Sequence, residues 1–515
     1  MKKYALITVS DKTGVEALAM GLEKLGFTIL STSKTAKHLR QFCSEVVEIA
    51  DLTGFQEILD GRVKTLHPII HAGILADRDE PSHIKTLQDL SIDHIDVVAV
   101  NLYPFAQTRA TEGVSHSQII ENIDVGGPTL IRAAAKNYRH VIVLTDPRDY
   151  APTLDLLGSE AGTQEGWRLY LAHKAFELVT HYDSDIADYL SELHVDLLPV
   201  TEMPGFMDLN CSLQSKLRYG ENPHQKAGFY VTRRDGWKSL HGKELSLNNI
   251  LDIDSSLRSV RLFEEPTVVI TKHCNPCGIG SGFNLADAYR KAFATDTVSP
   301  FGGIVAVNRP LDMETAVSIN RIFTEIIIAP AYEPGVLDVL IKKKDRRLIQ
   351  YDPEFLLKPR NPYEMKSMWW GYLVQEWDMV DIDISKWRVV TQKQPTQEQF
   401  DAMVWGWKVA SLLRSNAIAL TTHDQVMGLG IGQTSRIDST AIAIWKAKKF
   451  NHDLSKAVCA SDGFFPYRDS IDELYQHGIK AVVQPGGSKS DAEVIQACNE
   501  LDVAMVFTGF RHFRH

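Results

Sequence analysis

The sequence predicts an α/β protein built in two parts. Three observations carry that class. Short apolar runs alternate with helix-length stretches over the first 195 or so residues; the rhythm breaks at "LPVTEMPGF" (198–206); it then resumes twice over. Alternating strand and helix signals favour a parallel sheet covered by helices. At 515 residues the chain is too long for one compact core, so several domains are expected.

In order, "YALITV" (4–9), "FTILS" (27–31), "DVVAVNLY" (96–103) and "HVIVLT" (140–145) read as buried strands. A long helical pattern occupies about 164–193, and the two prolines and glycine that follow place a boundary at about residue 198. The domains expected are therefore 1–198 and 199–515. In the second, "TVVIT" (267–271), "GGIVAV" (302–307) and "EIIIAP" (325–330) make one lobe; "NAIALT" (416–421), "KAVVQPGG" (480–487) and "VAMVFTG" (503–509) make another in similar order. Between them, about 342–400 reads as irregular and polar, with the run "KKKDRR" taken as a solvated surface and an aromatic cluster, "MWWGY".

Composition narrows the function. The net charge of −10 argues against nucleic-acid or membrane-surface partners, while leaving room for a local basic pocket. No apolar run approaches the ~20 residues of a membrane span, and the amino terminus does not read as a secretory signal. Six irregularly spaced cysteines fit reduced thiols in a cytoplasmic protein.

Four stretches of the first domain suit an anion. "VSDKTG" (9–14) and "STSKTAK" (31–37) each follow a strand and open a helix, where backbone N–H groups cradle phosphate. In "DGRVKTLHP" (60–68), Arg62 and Lys64 share a face if that stretch is extended. "DVGGPTLIRAAAKN" (124–137) places Arg132 and Lys136 four apart, on one helix face. In the second domain, "VMGLGIGQTSRIDS" (426–439) lacks the dinucleotide fingerprint and suits close approach to a planar ligand or phosphate. "TKHCNPCGIG" (271–280) is the densest string. One C-x-x-C without a partner pair is a poor zinc site, and P-C-x-x-C is absent. Lys272 and His273, at the end of a buried strand, are candidate proton handlers.

Taken in order, "SDKTG", "GRVKTLHP", "NLYPF", "RAAAKN", "RYGENPHQ", "KHCNPCG", "FGGIVA", "EIIIAP", "GIGQTSR", "SDGFFPYRD" and "RHFRH" resemble one family over essentially the whole chain. It is the bifunctional purine-biosynthesis family joining a phosphoribosylaminoimidazolecarboxamide formyltransferase to an inosine-monophosphate cyclohydrolase. The resemblance implies a methylglyoxal-synthase-like domain that closes the purine ring, then a formyltransferase region of two cytidine-deaminase-like lobes without zinc. It implies nucleotide contacts at Ser10, Asp11, Lys12, Thr35, Arg62, Lys64, Thr65, Asn101, Tyr103 and Asp124, with Lys136 as proton donor and acceptor. In the second domain it implies catalysis by Lys272, His273 and Asn416, and substrate contacts from Arg218, Tyr219, Gly302, Glu325, Arg436 and Arg511. Ile437, Phe464 and Ser488 fall near the folate, 10-formyltetrahydrofolate, and no catalytic metal is expected. The family is typically a homodimer with the transferase site at its interface. Three departures mark this chain: Thr32-Ser33-Lys34-Thr35 where the family usually has "SGGT", "MWWGY" (368–372) in place of a smaller, glycine-rich stretch, and "HPIIHAG" (67–73) where the usual form has a lysine after the proline. The rival readings are a zinc-type nucleotide aminohydrolase and a non-catalytic nucleotide-binding protein.

Overall fold

The computed structural model describes residues 2–159, 164–193, 203, 211–231, 236–357, 363–379 and 382–515. The chain forms two compact units, Met1–Asn210 and Cys211–His515. The boundary expected at residue 198 lies outside the described residues.

In the first unit five parallel strands, β1 (Lys3–Thr8), β2 (Thr28–Ser31), β3 (Val46–Glu48), β4 (His94–Val100) and β5 (Ile142–Leu144), lie in the order β3-β2-β1-β4-β5. Their apolar runs are continuous because helices cover both faces, leaving residues such as Leu6, Ile29, Val98 and Val143 with no more than 1% exposure. Strand order reverses between β1 and β4, and an open parallel sheet gapes at the carboxyl ends of such a pair. The segments that leave those two strands carry Ser10–Lys12 and Asn101–Tyr103. The helix Gly126–Lys136 packs beside β4 and against the long helix Glu165–Glu192.

The second unit opens with the hairpin β6 (Ser212–Leu217) and β7 (Ala227–Val231). Its first lobe holds β8 (Trp237–His241), β9 (Thr267–Lys272), β10 (Asn275–Ser281), β11 (Ile304–Val307), β12 (Ile326–Ala329) and β13 (Arg347–Tyr351), ordered β10-β9-β11-β12-β13-β8. A hairpin, β14 (Tyr363–Met368) and β15 (Gly371–Glu376), follows. The second lobe holds β16 (Arg388–Val389), β17 (Ile418–Thr421), β18 (Val426–Gly430), β19 (Val458–Ser461), β20 (Ala481–Gln484) and β21 (Ala504–Phe507), ordered β18-β17-β19-β20-β21-β16. Position by position the two orders match, so the lobes repeat one topology. They share a buried core in which Met403, Trp407 and Val409 of the helix Gln397–Leu412 join Val269, Ile304 and Ile326 of one sheet to Ala460, Val483 and Val506 of the other.

Two expectations change here. The stretch 342–400 is not irregular, since it contains β13 and the β14–β15 hairpin, and Trp369 and Trp370 form that hairpin's two-residue tip. The run "KKKDRR" is solvated at Lys342, Lys344 and Asp345, but its two arginines turn inward. Arg346 is 1% exposed and donates to the Thr324 carbonyl and Asn320 Oδ1, while Arg347 pairs with Glu325.

Candidate active sites

In the first unit a polar cluster forms at the switch point. Asn101 Oδ1 accepts the backbone N–H groups of Ser10 (2.5 Å) and Asp11 (3.1 Å), and its Nδ2 donates to the Asp11 carbonyl (2.8 Å). The loops after β1 and β4 are thereby tied together. Lys12 Nζ donates to the hydroxyl of buried Thr35 (2.8 Å) and to the Val9 carbonyl. Burial lowers the proton affinity of Lys12, and repulsion from Lys64 and Lys34 adds to it against the pull of Asp11. Three cations thus converge there, a field that attracts an anion. Lys64 Nζ donates to Tyr103 OH (3.2 Å). Asp124 caps the start of the next helix by accepting the Gly127 N–H (2.8 Å). Burial raises its carboxyl above the usual range; the Gly127 N–H and the charge of Lys64 oppose that rise. Thr65 is buried against Gly126, where a Cβ would come within 2.7 Å of its hydroxyl.

Two expected members stand apart. The extended backbone expected at Arg62 is absent: Leu59, Asp60 and Gly61 take left-handed conformations, and Arg62 itself is helical at φ −62° and ψ −31°. Its guanidinium pairs with Glu121. Lys136 closes the helix that Gly126 opens, so about 15 Å of helix rise separates it from the Asp124 end. It lines a separate cleft of about 680 Å³ with Arg132, His71, His173, Thr129 and Phe176.

In the second unit the turn joining β9 to β10 carries His273 and Cys274, both left-handed at φ 54° and 60°. Non-glycine residues held this way cost roughly 1–3 kcal/mol each and need outside support. Asp252 Oδ1 accepts the Cys274 N–H (2.5 Å), Ser255 Oγ donates to the Cys274 carbonyl (3.0 Å) and Asn275 Nδ2 donates to the His273 carbonyl (2.9 Å). Burial pushes the thiols up to about 11 at Cys274 and about 12 at Cys277, so both are protonated at neutral pH. Among the described residues, neither cysteine joins a group of three converging His, Cys, Asp or Glu donors.

Lys272 Nζ donates to the Phe301 carbonyl (2.9 Å), beside Gly302, which adopts φ 74° and donates its N–H to the Phe323 carbonyl. Glu325 Oε1 accepts from Asn249 (3.1 Å) and Arg347 (3.0 Å). Lys272, His273, Gly302 and Glu325 therefore gather at one end of β9, β11 and β12. Arg218 stacks on Tyr219 at the end of β6, and Arg511 on Phe513; both arginines are exposed. Among the described residues, neither bonds to that gathering. Ile437, Phe464 and Ser488 are each half-buried in the second lobe.

Arg436, expected among the substrate contacts, is instead 6% exposed. It pairs with Asp462 (2.6 Å) and donates to Ser461 Oγ (2.7 Å) and Asn416 Oδ1 (2.8 Å). Two of the glycines before it serve packing. A Cβ on Gly428 would fall 2.2 Å from the Ala443 carbonyl oxygen, and one on Gly430 1.8 Å from that of Ser439, so they let the helix Arg436–Lys449 lie on β18. Asp252, Arg347 and Asp462 were missed from sequence because nothing local marks them; each acts through a residue at least 20 positions away.

A model of the AICARFT/IMPCHase bienzyme family matches residues 134–446, and one of the MGS-like domain matches 14–129. The bifunctional purine biosynthesis protein PurH of Acetivibrio thermocellus is 47% identical over all of both chains. That of Chlorobaculum parvum is 48% identical over all of this chain and 99% of its own. The crystal structure of ForH is 38% identical over 37% of this chain, at a TM-score of 0.34, and adds nothing to the fold. With a family model spanning more than half its length and full-length relatives near 47% identity, this chain belongs to the AICARFT/IMPCHase bienzyme family.

Proposed function

We propose that the chain catalyses two consecutive steps of purine biosynthesis. The second unit transfers a formyl group from 10-formyltetrahydrofolate to 5-aminoimidazole-4-carboxamide ribonucleotide. The first closes the formylated product to inosine monophosphate with loss of water. The observation that supports this reading is that each compact unit gathers its own polar cluster at strand ends, one rich in lysine and one built on a strained His273 turn.

The acceptor amine is conjugated with its ring and carboxamide, so it is a weak nucleophile. His273 takes the amine proton as the nitrogen bonds the formyl carbon, Lys272 steadies the formyl oxygen or the substrate, and Asn416 donates to that oxygen as charge develops. The bond from the formyl carbon to the folate nitrogen breaks, and that nitrogen receives a proton. In ring closure the carboxamide nitrogen attacks the formyl carbon and the carbinol oxygen leaves as water, which pulls the reluctant transfer forward. Ser10, Asp11, Lys12, Thr35, Lys64, Thr65, Asn101, Tyr103 and Asp124 hold the ribonucleotide there. Ile437, Phe464, Ser488 and Arg511 are read as folate and substrate neighbours, the assembly as a homodimer, and the compartment as the cytoplasm. Neither step calls on a metal.

The test follows tetrahydrofolate and inosine monophosphate separately with both substrates. His273→Ala should cut formyl transfer roughly 10²–10⁴-fold and leave ring closure of the preformed intermediate unchanged. Lys136→Ala, in the same assay, decides the part played by the separate cleft. A similar loss of ring closure assigns Lys136 the proton transfer; an unchanged rate leaves it with Lys64 and Asp124. Formyl transfer at the parental rate in His273→Ala would end the proposed role.

A further inference from the structure

We infer that Arg436 and Asp462 are positioning residues that fix which end of the Asn416 carboxamide faces the reacting formyl group. The inference rests on the role proposed for Asn416. A guanidinium has only donors, so the group it meets at Asn416 must be the oxygen, Oδ1 (2.8 Å). The amide nitrogen is then forced to the other side. There one N–H donates to the Gln433 carbonyl (2.9 Å), and the second meets no partner among the described residues. That second N–H, on a half-exposed residue, is the donor available to a developing oxyanion. A carboxamide with no such neighbour can turn end for end and present its oxygen, which would repel the same charge.

Arg436 is itself held in place. Its Nη1 donates to Asp462 Oδ1 (2.6 Å) and Ser461 Oγ (2.7 Å), with the side chains of Arg436 and Asp462 only 5% and 0% exposed. Asp462 reaches the same segment twice more, accepting the Ala417 N–H (3.1 Å) at Oδ1 and the Ser415 hydroxyl at Oδ2. Ser415 is fixed in turn by the chain end, donating its N–H to the Arg514 carbonyl (2.9 Å) and accepting the Arg514 N–H at its hydroxyl (3.2 Å). Gly463 leaves the room required, since a Cβ there would sit 2.7 Å from Arg436 Nη2. Asn416 is thus clamped from both flanks, and its amide is aimed by a buried ion pair.

Breaking a buried pair on one side leaves an unpaired charge and threatens the fold. Two variants are therefore measured beside the parent and Asn416→Ala. Arg436→Lys keeps the cation for Asp462 but, as a point charge, loses the fork that also reaches Asn416. Arg436→Gln combined with Asp462→Asn leaves no buried charge. In each folded variant, kcat for formyl transfer should fall roughly 10–100-fold, less than deleting an oxyanion donor outright. KM for the ribonucleotide and the folate should stay within about threefold, because orientation of the amide matters to the transition state more than to the ground state. Ring closure on the same preparations should be unchanged. An unchanged kcat would overturn the inference. So would a raised KM at constant kcat, which would make Arg436 a direct substrate contact. Loss of fold in both variants would make the pair structural only, and also counts against it. Full activity in Asn416→Ala, or none in the parent, would strike instead at the proposed function on which the inference rests.

Discussion

Single residues show where function was given precedence over stability. The Asp124 carboxyl is raised by burial, with the Gly127 N–H and Lys64 pulling the other way. A folded-state value above its ordinary 3.8 means that Asp124 stabilises the fold fully only below that pH. The contribution is lost as pH rises through the raised value, so ionised Asp124 burdens the fold at neutrality. Asp124→Asn should accordingly melt at a higher temperature than the parent at pH 7, with the gap closing toward pH 3. Its ring closure should fall roughly 10²–10⁴-fold. A melting series across pH, run beside the ring-closure rate, checks both; a variant less stable at pH 7 than at pH 3 relative to the parent would contradict the sign. Lys12 was legible in sequence because it follows a strand and opens a helix, whereas Asn101 entered only through the family resemblance. The turn that leaves Arg62 helical and paired with Glu121 was not legible, because a left-handed turn at Leu59–Gly61 leaves no periodic signature.

Among the elements, the glycines of β10 and β18 state the rule most clearly. Gly278 and Gly280 would place a Cβ 2.0 Å and 2.5 Å from the Ala292 and Ala288 carbonyl oxygens, as Gly428 and Gly430 would against the helix Arg436–Lys449. Each lobe therefore seats a helix on its hairpin through two glycines spaced two apart. Gly430→Ala should push that helix away from β18 and carry Arg436 with it. A loss of about 3 kcal/mol or more in the stability of the second unit is expected, together with its formyl transfer. Denaturant unfolding measures the first, and ring closure should persist. A near-neutral change would show that the helix can slide without cost. The β14–β15 hairpin escaped sequence reading for the opposite reason. Most of its side chains are half-buried or exposed, so no alternation of apolar and polar residues announces it.

At the scale of the molecule, the two units have separate cores and, on the reading above, separate chemistries. One core runs from Tyr4 to Val179, and the other is shared by the two lobes of Cys211–His515. Residues 1–210 expressed alone should fold and close the ring of the formylated intermediate without folate. Residues 211–515 should show no ring closure. Folded but inactive 1–210 would mean that ring closure draws on residues of the second unit.

The sequence by itself determined the α/β class, the tandem lobes and the motifs that carry the family resemblance. Those features are written in local periodicity and in strings of adjacent residues, which need no partner to be read. Tertiary structure alone decided that Lys136 faces a cleft away from Asp124, that Arg346 is core, and that Arg436 is buried behind Asn416. It also decided which carboxylates, Asp252 and Asp462, hold the reactive segments. Each of those outcomes depends on two residues far apart in the chain meeting in space, where burial and hydrogen bonding set what a charge can do, and spacing along the sequence does not encode that meeting.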